Sequence, residues 1–384
     1  MNIHLIISTL ICSYFLFLSL KNISTLRNIT FAPNIDYSPK VSVIIPARNE
    51  EKNIGKCLDS LIAQDYTNYD ILVIDDNSTD GTWDIIKEYE EKNSNITAHS
   101  GKPLAEGWLG KQYACHQLSQ IATGEYLIFT DADTVHTKKS ISWAITNIIK
   151  HNSDLLSAYL YYPIHSIGEA LILPGIYLMT SFMLPLWKVP KKNNPNYSFA
   201  IGQLLVCRAE AFHSIGGYTR FKNSIVEDIS MAKLMKIHGF KTIFIDGKDY
   251  VSCRMYTSFL EVCKGFIKNI YSAVNQNILT IMGFMLMEIT VIELPIIYLI
   301  YNIYTGSSNI LLPILPIAVF FTMWLVVLKN RKIPLYITFL YPILFVLLII
   351  ISIISTIKTG FGRGAEWKGR LVKCHSKQVY EKRK

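Results

Sequence analysis

Charge is scarce in this sequence: of 384 residues only 17% are Asp, Glu, Lys or Arg, while 50% are hydrophobic. Soluble domains carry about a quarter charged residues, so part of the chain is expected to live in lipid. Cysteine is also sparse, at 7 residues with no Cys-x-x-Cys pair. That odd, scattered set excludes a zinc ribbon or a disulfide framework and reads as reduced thiols in a cytosolic compartment. Glycine follows no period and aromatics reach 12%, which excludes collagen and disorder. No Gly-x-Gly-x-x-Gly follows the first apolar strand, and no Gly-x4-Gly-Lys-Ser/Thr occurs anywhere. A dinucleotide oxidoreductase and a P-loop NTPase are thereby set aside.

What the chain has in quantity is apolar sequence in long runs. Residues 3–20 are apolar apart from Ser, Thr, His and Cys, and Lys21 and Arg27 follow. The charges come after the run, so residues 1–22 read as an uncleaved membrane anchor with the next domain inside the cell. From residue 276 to 357 the texture is again apolar, with candidate spans at 278–303, 309–328 and 335–357. Glu288 and Glu293 lie in the first of these, which is expected to be interfacial or re-entrant. Lys329, Arg331 and Lys332 follow the second, and a basic tail occupies 358–384. The net charge of +9 is therefore read as facing an anionic membrane surface, with no nucleic acid as partner.

Residues 40–272 have a globular texture. Val41–Ile45, Ile71–Ile74 and Tyr126–Phe129 are short, uncharged and rich in β-branched or aromatic residues, as strands buried on both faces should be. Helix-period segments lie between and after them, the second behind an Asp80 cap. Strand, helix, strand, helix predicts an α/β, doubly wound, mostly parallel sheet. The segment 167–189, with Glu169, Pro174 and Pro185, is read as a helix packed on that sheet or lying at the interface.

In open α/β sheets ligands bind beyond the carboxyl ends of the strands. Three of these runs end in acids or a polar turn: Pro46-Ala47-Arg48-Asn49-Glu50, Asp75-Asp76-Asn77-Ser78-Thr79-Asp80-Gly81, and Thr130-Asp131-Ala132-Asp133. Carboxylates gathered at one sheet edge require a cation, and oxygen ligands in an Asp-x-Asp pattern fit Mg²⁺ or Mn²⁺ completed by phosphate oxygens.

These three blocks, Val41–Glu51, Val73–Thr82 and Asp131–Asp133, resemble the family 2 glycosyltransferases. The resemblance implies a GT-A fold, a nucleotide-diphospho-sugar donor and inversion at the sugar carbon. It implies that Pro46, Ala47, Arg48 and Glu50 line the nucleotide pocket and that Asp76 hydrogen-bonds the base. Asp133, helped by Asp131, would hold the metal, and Lys111 would reach the nucleotide-sugar. The family's late acidic pair is matched by Glu227-Asp228, with Asp228 as base and Glu227 in reserve. Processive members carry Gln-x-x-Arg-Trp, which is absent after Arg254-Met255-Tyr256. The departure favours transfer of one hexose over a polysaccharide synthase or a noncatalytic nucleotide-sugar-binding protein. The anchor, Gly110-Lys111-x-x-Ala114-Cys115-x-Gln117, and Glu366-Trp367-Lys368-Gly369-Arg370 resemble bacterial membrane-bound glucosyltransferases that act on a carotenoid acid, diaponeurosporenoate. Glucose from a UDP-sugar, a lipid acceptor and a multi-pass cell-membrane location with a cytoplasmic catalytic domain are the corresponding expectations.

Overall fold

The computed structural model describes residues 2–30, 37–182, 184–191, 194–274, 276–361, 365–367 and 369–372. The basic tail beyond residue 372 lies outside them. The chain divides into two compact units.

One unit comprises residues 26–163, 186–255 and 366–384. Its centre is a seven-stranded sheet built from β1 (Val41–Ala47), β2 (Tyr69–Asp75), β3 (Ile96–Ser100), β4 (Tyr126–Thr130), β6 (Leu155–Tyr159), β7 (Leu204–Arg208) and β8 (Thr242–Asp246). A small pair, β5 (Thr134–His136) and β9 (Val251–Cys253), lies apart from it. The sheet order is β3-β2-β1-β4-β7-β6-β8. All pairings are parallel except those of β7, which runs antiparallel to both β4 and β6. The doubly wound, mostly parallel sheet expected from the sequence is therefore present. The helices Ile54–Ile62 and Thr82–Lys92 fall where the apolar periodicity put them. The Asp80 carboxylate accepts from the backbone N–H of Thr82, the first residue of the second of these helices.

Register, more than strand count, decides where the loops emerge. Ala47 pairs with Asp75, Ile44 with Phe129, and Thr130 with Leu204. The loops after β1, β2 and β4 thus leave from one edge, and the chain re-enters β7 at that same edge. A core of side chains from β1, β2, β4 and β7 and from helices Gly110–Ser119 and Glu227–Ile237 fills the space behind it, with Phe129, Phe212, Tyr218 and Phe221 packed edge to face or tilted. Such aromatic clusters fix the spacing of the elements that carry them.

The other unit comprises residues 1–25, 164–185 and 256–365. Residues 164–185 and 256–272 thus group with the helices, although their sequence texture continues that of the sheet domain. Segment 167–189 is not one helix. It forms Ile167–Ile172 and Gly175–Phe182 around Pro174, followed by a short turn at Leu186–Lys188. Among the described residues four helices, Ile3–Arg27, Ile278–Tyr304, Leu311–Asn330 and Leu335–Gly360, are long and apolar enough to cross a membrane. Helix Leu311–Asn330 runs through Pro316, and within the fourth the α-helix Tyr341–Ser355 carries Pro342 in its first turn, where its missing N–H costs nothing. The Glu-bearing helix is continuous, with π winding over Ile289–Glu293. The carbonyl of Thr290 within that winding accepts from Ser8 Oγ and lies 2.7 Å from His4 Nε2. Helix Phe259–Ala273 packs on Tyr341–Ser355, where Ser355 Oγ donates to Ile267 O and accepts from Tyr271 N.

Gly124 shows how tightly the sheet edge closes. A Cβ there would lie 2.4 Å from Ser42 N and 2.8 Å from Tyr126 O. Gly124→Ala should destabilise the protein by about 1–3 kcal/mol, the usual cost of overpacking. Urea unfolding of the detergent-purified protein, followed by circular dichroism, checks this; an unchanged midpoint contradicts it.

Candidate active site

The loops after β1 and β2 are built by two interlocked turns. Asn49 and Asn77 both have positive φ, at 52° and 56°, a conformation that asparagine tolerates better than most residues. Asn49 Oδ1 accepts from Thr79 N at 2.8 Å, and Asn49 N donates to Ser78 Oγ at 2.9 Å. Arg48 Nη1 donates to the carbonyls of Asp76 and Asn77, each at 2.6 Å. Asp76 N donates in turn to Ala47 O. Glu50 is buried, its N–H on Thr82 Oγ1 and its carboxylate on Asn53 Nδ2. Five residues assigned to the nucleotide side, Pro46, Ala47, Arg48, Glu50 and Asp76, are therefore brought together. Arg48 does so by clamping the Asp76 loop. Behind Asp76 the backbone of Gly101 comes so close that a Cβ would lie 2.7 Å from Asp75 O.

On the other side of β4 the carboxylates meet a cation. Lys111, in the first turn of helix Gly110–Ser119, places Nζ 2.7 Å from Asp131 Oδ1 and 3.1 Å from Glu227 Oε1. Burial works against its charge, but the two carboxylates outweigh that and hold Lys111 well above the usual lysine range. Glu227 and Asp228 occupy the first turn of helix Glu227–Ile237, where the helix dipole favours acids. Glu227 is also within 3.4 Å of Gln112 Nε2, which donates to Ser224 O at 2.7 Å. Asp228 points differently. Its Oδ2 accepts from Gly202 N at 2.8 Å and its Oδ1 from Ile229 N at 2.7 Å. Burial and, next, the charge of Glu227 push Asp228 up to about 7, against the pull of the Ile229 and Gly202 N–H groups and of Lys111.

Gly202 is the hub of this cluster. A Cβ on it would lie 3.2 Å from Glu227 Oε1, 3.3 Å from Lys111 Nζ and 3.4 Å from Asp228 Oδ2. Asp133 Oδ1 accepts a weak hydrogen bond from Cys253 Sγ at 3.4 Å. Among the described residues no group of three or more His, Cys, Asp or Glu side chains converges to cage a metal ion. Two carboxylates at a strand end still fit a hard divalent cation whose remaining ligands come from a bound diphosphate.

Sequence reasoning missed Gln112, Gly202 and the hydroxyls of Thr130 and Thr134 that flank Asp131. Only the threonines had a signal, their adjacency to the acidic pair. Gly202 and Gln112 owe their places to tertiary packing that no local pattern records.

Residues 42–216 match the description Glycosyl transferase family 2, so over that stretch the chain is similar to this family. It is 29% identical over 233 residues to 4,4'-diaponeurosporenoate glycosyltransferase of Staphylococcus haemolyticus and 27% identical over 235 residues to the protein of that name from Staphylococcus aureus strain MRSA252. Each match covers 60% of this chain and 60% of the relative, so the chain spans about three fifths of the length of the curated relatives it matches. Among solved structures it is similar in fold to a mannosyltransferase from Pyrobaculum calidifontis in complex with GDP-Man and Mn²⁺, with a TM-score of 0.56 and 16% identity, over 92% of this chain and 99% of that one. The fold is accordingly of the GT-A type.

Lys111→Met should leave Asp131 and Glu227 facing each other without their shared cation and lower stability by about 1–3 kcal/mol, less than a fully buried pair because the site is partly open to water. Adding Glu227→Gln should recover most of the loss. Thermal melts of wild type, single and double variant test this; a double variant no more stable than Lys111→Met contradicts the bridge.

Proposed function

We propose that this chain is a membrane-anchored, metal-dependent, inverting glycosyltransferase that moves a single hexose, with glucose as first choice, from a UDP-sugar to a lipid acceptor, a carotenoid acid being the foremost candidate. The observation that carries the reading is the division of labour between the two late acids. Glu227 is tied to Lys111, whereas Asp228 is held only by N–H groups and is basic enough, at about 7, to take a proton near neutrality.

In this reading the nucleotide rests against Pro46–Glu50 and Asp76. Asp131 and Asp133 hold a divalent cation, Mg²⁺ or Mn²⁺, which would offset the charge of the departing diphosphate. Asp228 accepts the acceptor's hydroxyl proton as that oxygen bonds to the anomeric carbon, and the bond from that carbon to the diphosphate breaks. Lys111 supplies a fixed positive charge beside the leaving group without reorganisation at the moment of reaction. An acceptor that is a carboxylic acid arrives already ionised, so no proton is removed and positioning matters more than the basicity of Asp228.

The anchor Ile3–Arg27 and the three apolar helices after residue 277 support a membrane location with catalysis at the cytoplasmic surface, where a water-soluble donor and a bilayer-borne acceptor meet. The Glu-bearing helix lying in the interface would leave the basic tail on that same side. The missing Gln-x-x-Arg-Trp favours one transfer per acceptor over processive synthesis.

Membranes containing the protein should release UDP from UDP-glucose with Mn²⁺ in a lipid-extract-dependent manner, and EDTA or Asp133→Ala should abolish it. Full activity in EDTA would remove the metal from the scheme. With a hydroxyl acceptor, kcat should fall as pH drops through about 7, because protonation removes the base. Asp228→Asn should lower kcat by about 10²-fold or more and flatten that limb. A retained limb in Asp228→Asn would move the base elsewhere.

A further inference from the structure

Beneath the carboxylate loop lies a buried polar network. His136, on β5, is buried together with Thr130, Thr134 and Ser140. Its Nε2 lies 3.1 Å from both Thr130 Oγ1 and Thr134 Oγ1, and its Nδ1 lies 3.1 Å from Ser140 Oγ. The two threonines do not face the ring alone. Thr134 Oγ1 donates to Asp131 O at 2.7 Å, and Thr130 Oγ1 donates to Gln203 O at 2.9 Å.

The two threonine oxygens also lie 2.9 Å from each other, so the three groups close a ring around Nε2. Burial pulls the imidazole down to about 4, so the ring is neutral at cellular pH and carries one N–H. On its other side Ser140 Oγ lies 3.1 Å from Nδ1 and donates to Gln64 Oε1 at 3.0 Å.

The two carbonyls at the far ends of these bonds belong to opposite sides of the site. Asp131 bears the carboxylate on Lys111. Gln203 follows Gly202, whose N–H holds Asp228. We infer that His136 is a positioning residue: its Nε2, shared between Thr130 and Thr134, sets the backbone of Asp131 and of Gly202–Gln203 together, and so fixes the distance between the donor side and the base side. The inference rests on the glycosyl-transfer reading above. It assigns no contact between His136 and substrate.

The two threonines make it testable, because Thr→Val removes one hydroxyl at nearly constant volume. With detergent-purified full chain, UDP-glucose, Mn²⁺ and lipid extract, Thr134→Val should raise KM for the donor about tenfold with kcat near wild type. Thr130→Val should lower kcat about tenfold with donor KM near wild type, each the effect of roughly one lost hydrogen bond. His136→Leu should do both. His136→Gln, whose amide can reach the Nε2 position as donor or acceptor, should recover most of the loss. In parallel, amide hydrogen exchange of nucleotide-free protein should speed up in His136→Leu at residues 131–134 and 202–204 while helix Ser140–Lys150 keeps its protection.

Val variants that change kcat and KM together, or neither, would overturn the inference even in an active enzyme. Exchange that rises evenly over the sheet would do the same, because it marks a purely structural histidine. If wild type releases UDP from no sugar donor, the reaction reading fails and exchange decides alone: selective loss of protection at the two loops sustains the coupling, and unchanged loops end it.

Discussion

The site depends on one electrostatic constraint. Asp131 at the end of β4 and Glu227 at the start of helix Glu227–Ile237 converge, with Asp228 close behind. At separations of about 4 Å, like charges repel by roughly 4 kcal/mol per pair in a partly buried setting. Lys111 resolves this by bonding Asp131 and Glu227 at once. Helix Gly110–Ser119 must therefore start where it does, and the backbone of Gly202 must lie against all three side chains with no Cβ between. The same bridge separates the two late acids into different chemical states, one spent on an ion pair and one left to be basic.

Around this cluster the protein uses backbone atoms and neutral groups to hold geometry. N–H groups fix Asp228, carbonyls fix Arg48, and threonine hydroxyls tie Asp131 and Gln203 to a histidine that burial keeps uncharged. A charged anchor under the loop would compete with any cation held above it. The neutral network supplies rigidity without adding to the local field around the carboxylates.

The sheet was legible because its central strands are continuous apolar runs with punctuated ends. Val41–Ile45, Ile71–Ile74 and Tyr126–Phe129 became β1, β2 and β4, with the acidic loops at one edge as their sequence implied. The strands beyond β4 carried less signal. β7 runs antiparallel, and nothing in Leu-Leu-Val-Cys-Arg distinguishes an antiparallel buried strand from a parallel one. Gly202 was invisible for a related reason, since a glycine that admits three side chains looks like a turn glycine until those side chains arrive. Lys111 was legible as a residue of the site, but its partners lie 20 and 116 positions away and follow only from the fold. The split of 164–185 from the sheet domain escaped because its prolines and Glu169 make it too polar to read as a span, although it groups with the helical unit.

That segment also constrains how the protein is assembled. The chain leaves the sheet unit after residue 163, contributes two short apolar helices to the helical unit, and returns at 186 before β7 is laid down. The Gly202 N–H and the late acids are thus encoded downstream of a detour through the other unit. A version of the sheet unit freed at its termini would still carry that detour in its middle, as a sticky insertion with nothing to cover it. Water solubility in this architecture is a matter of replacing an internal loop, since trimming the ends leaves the apolar surface in place.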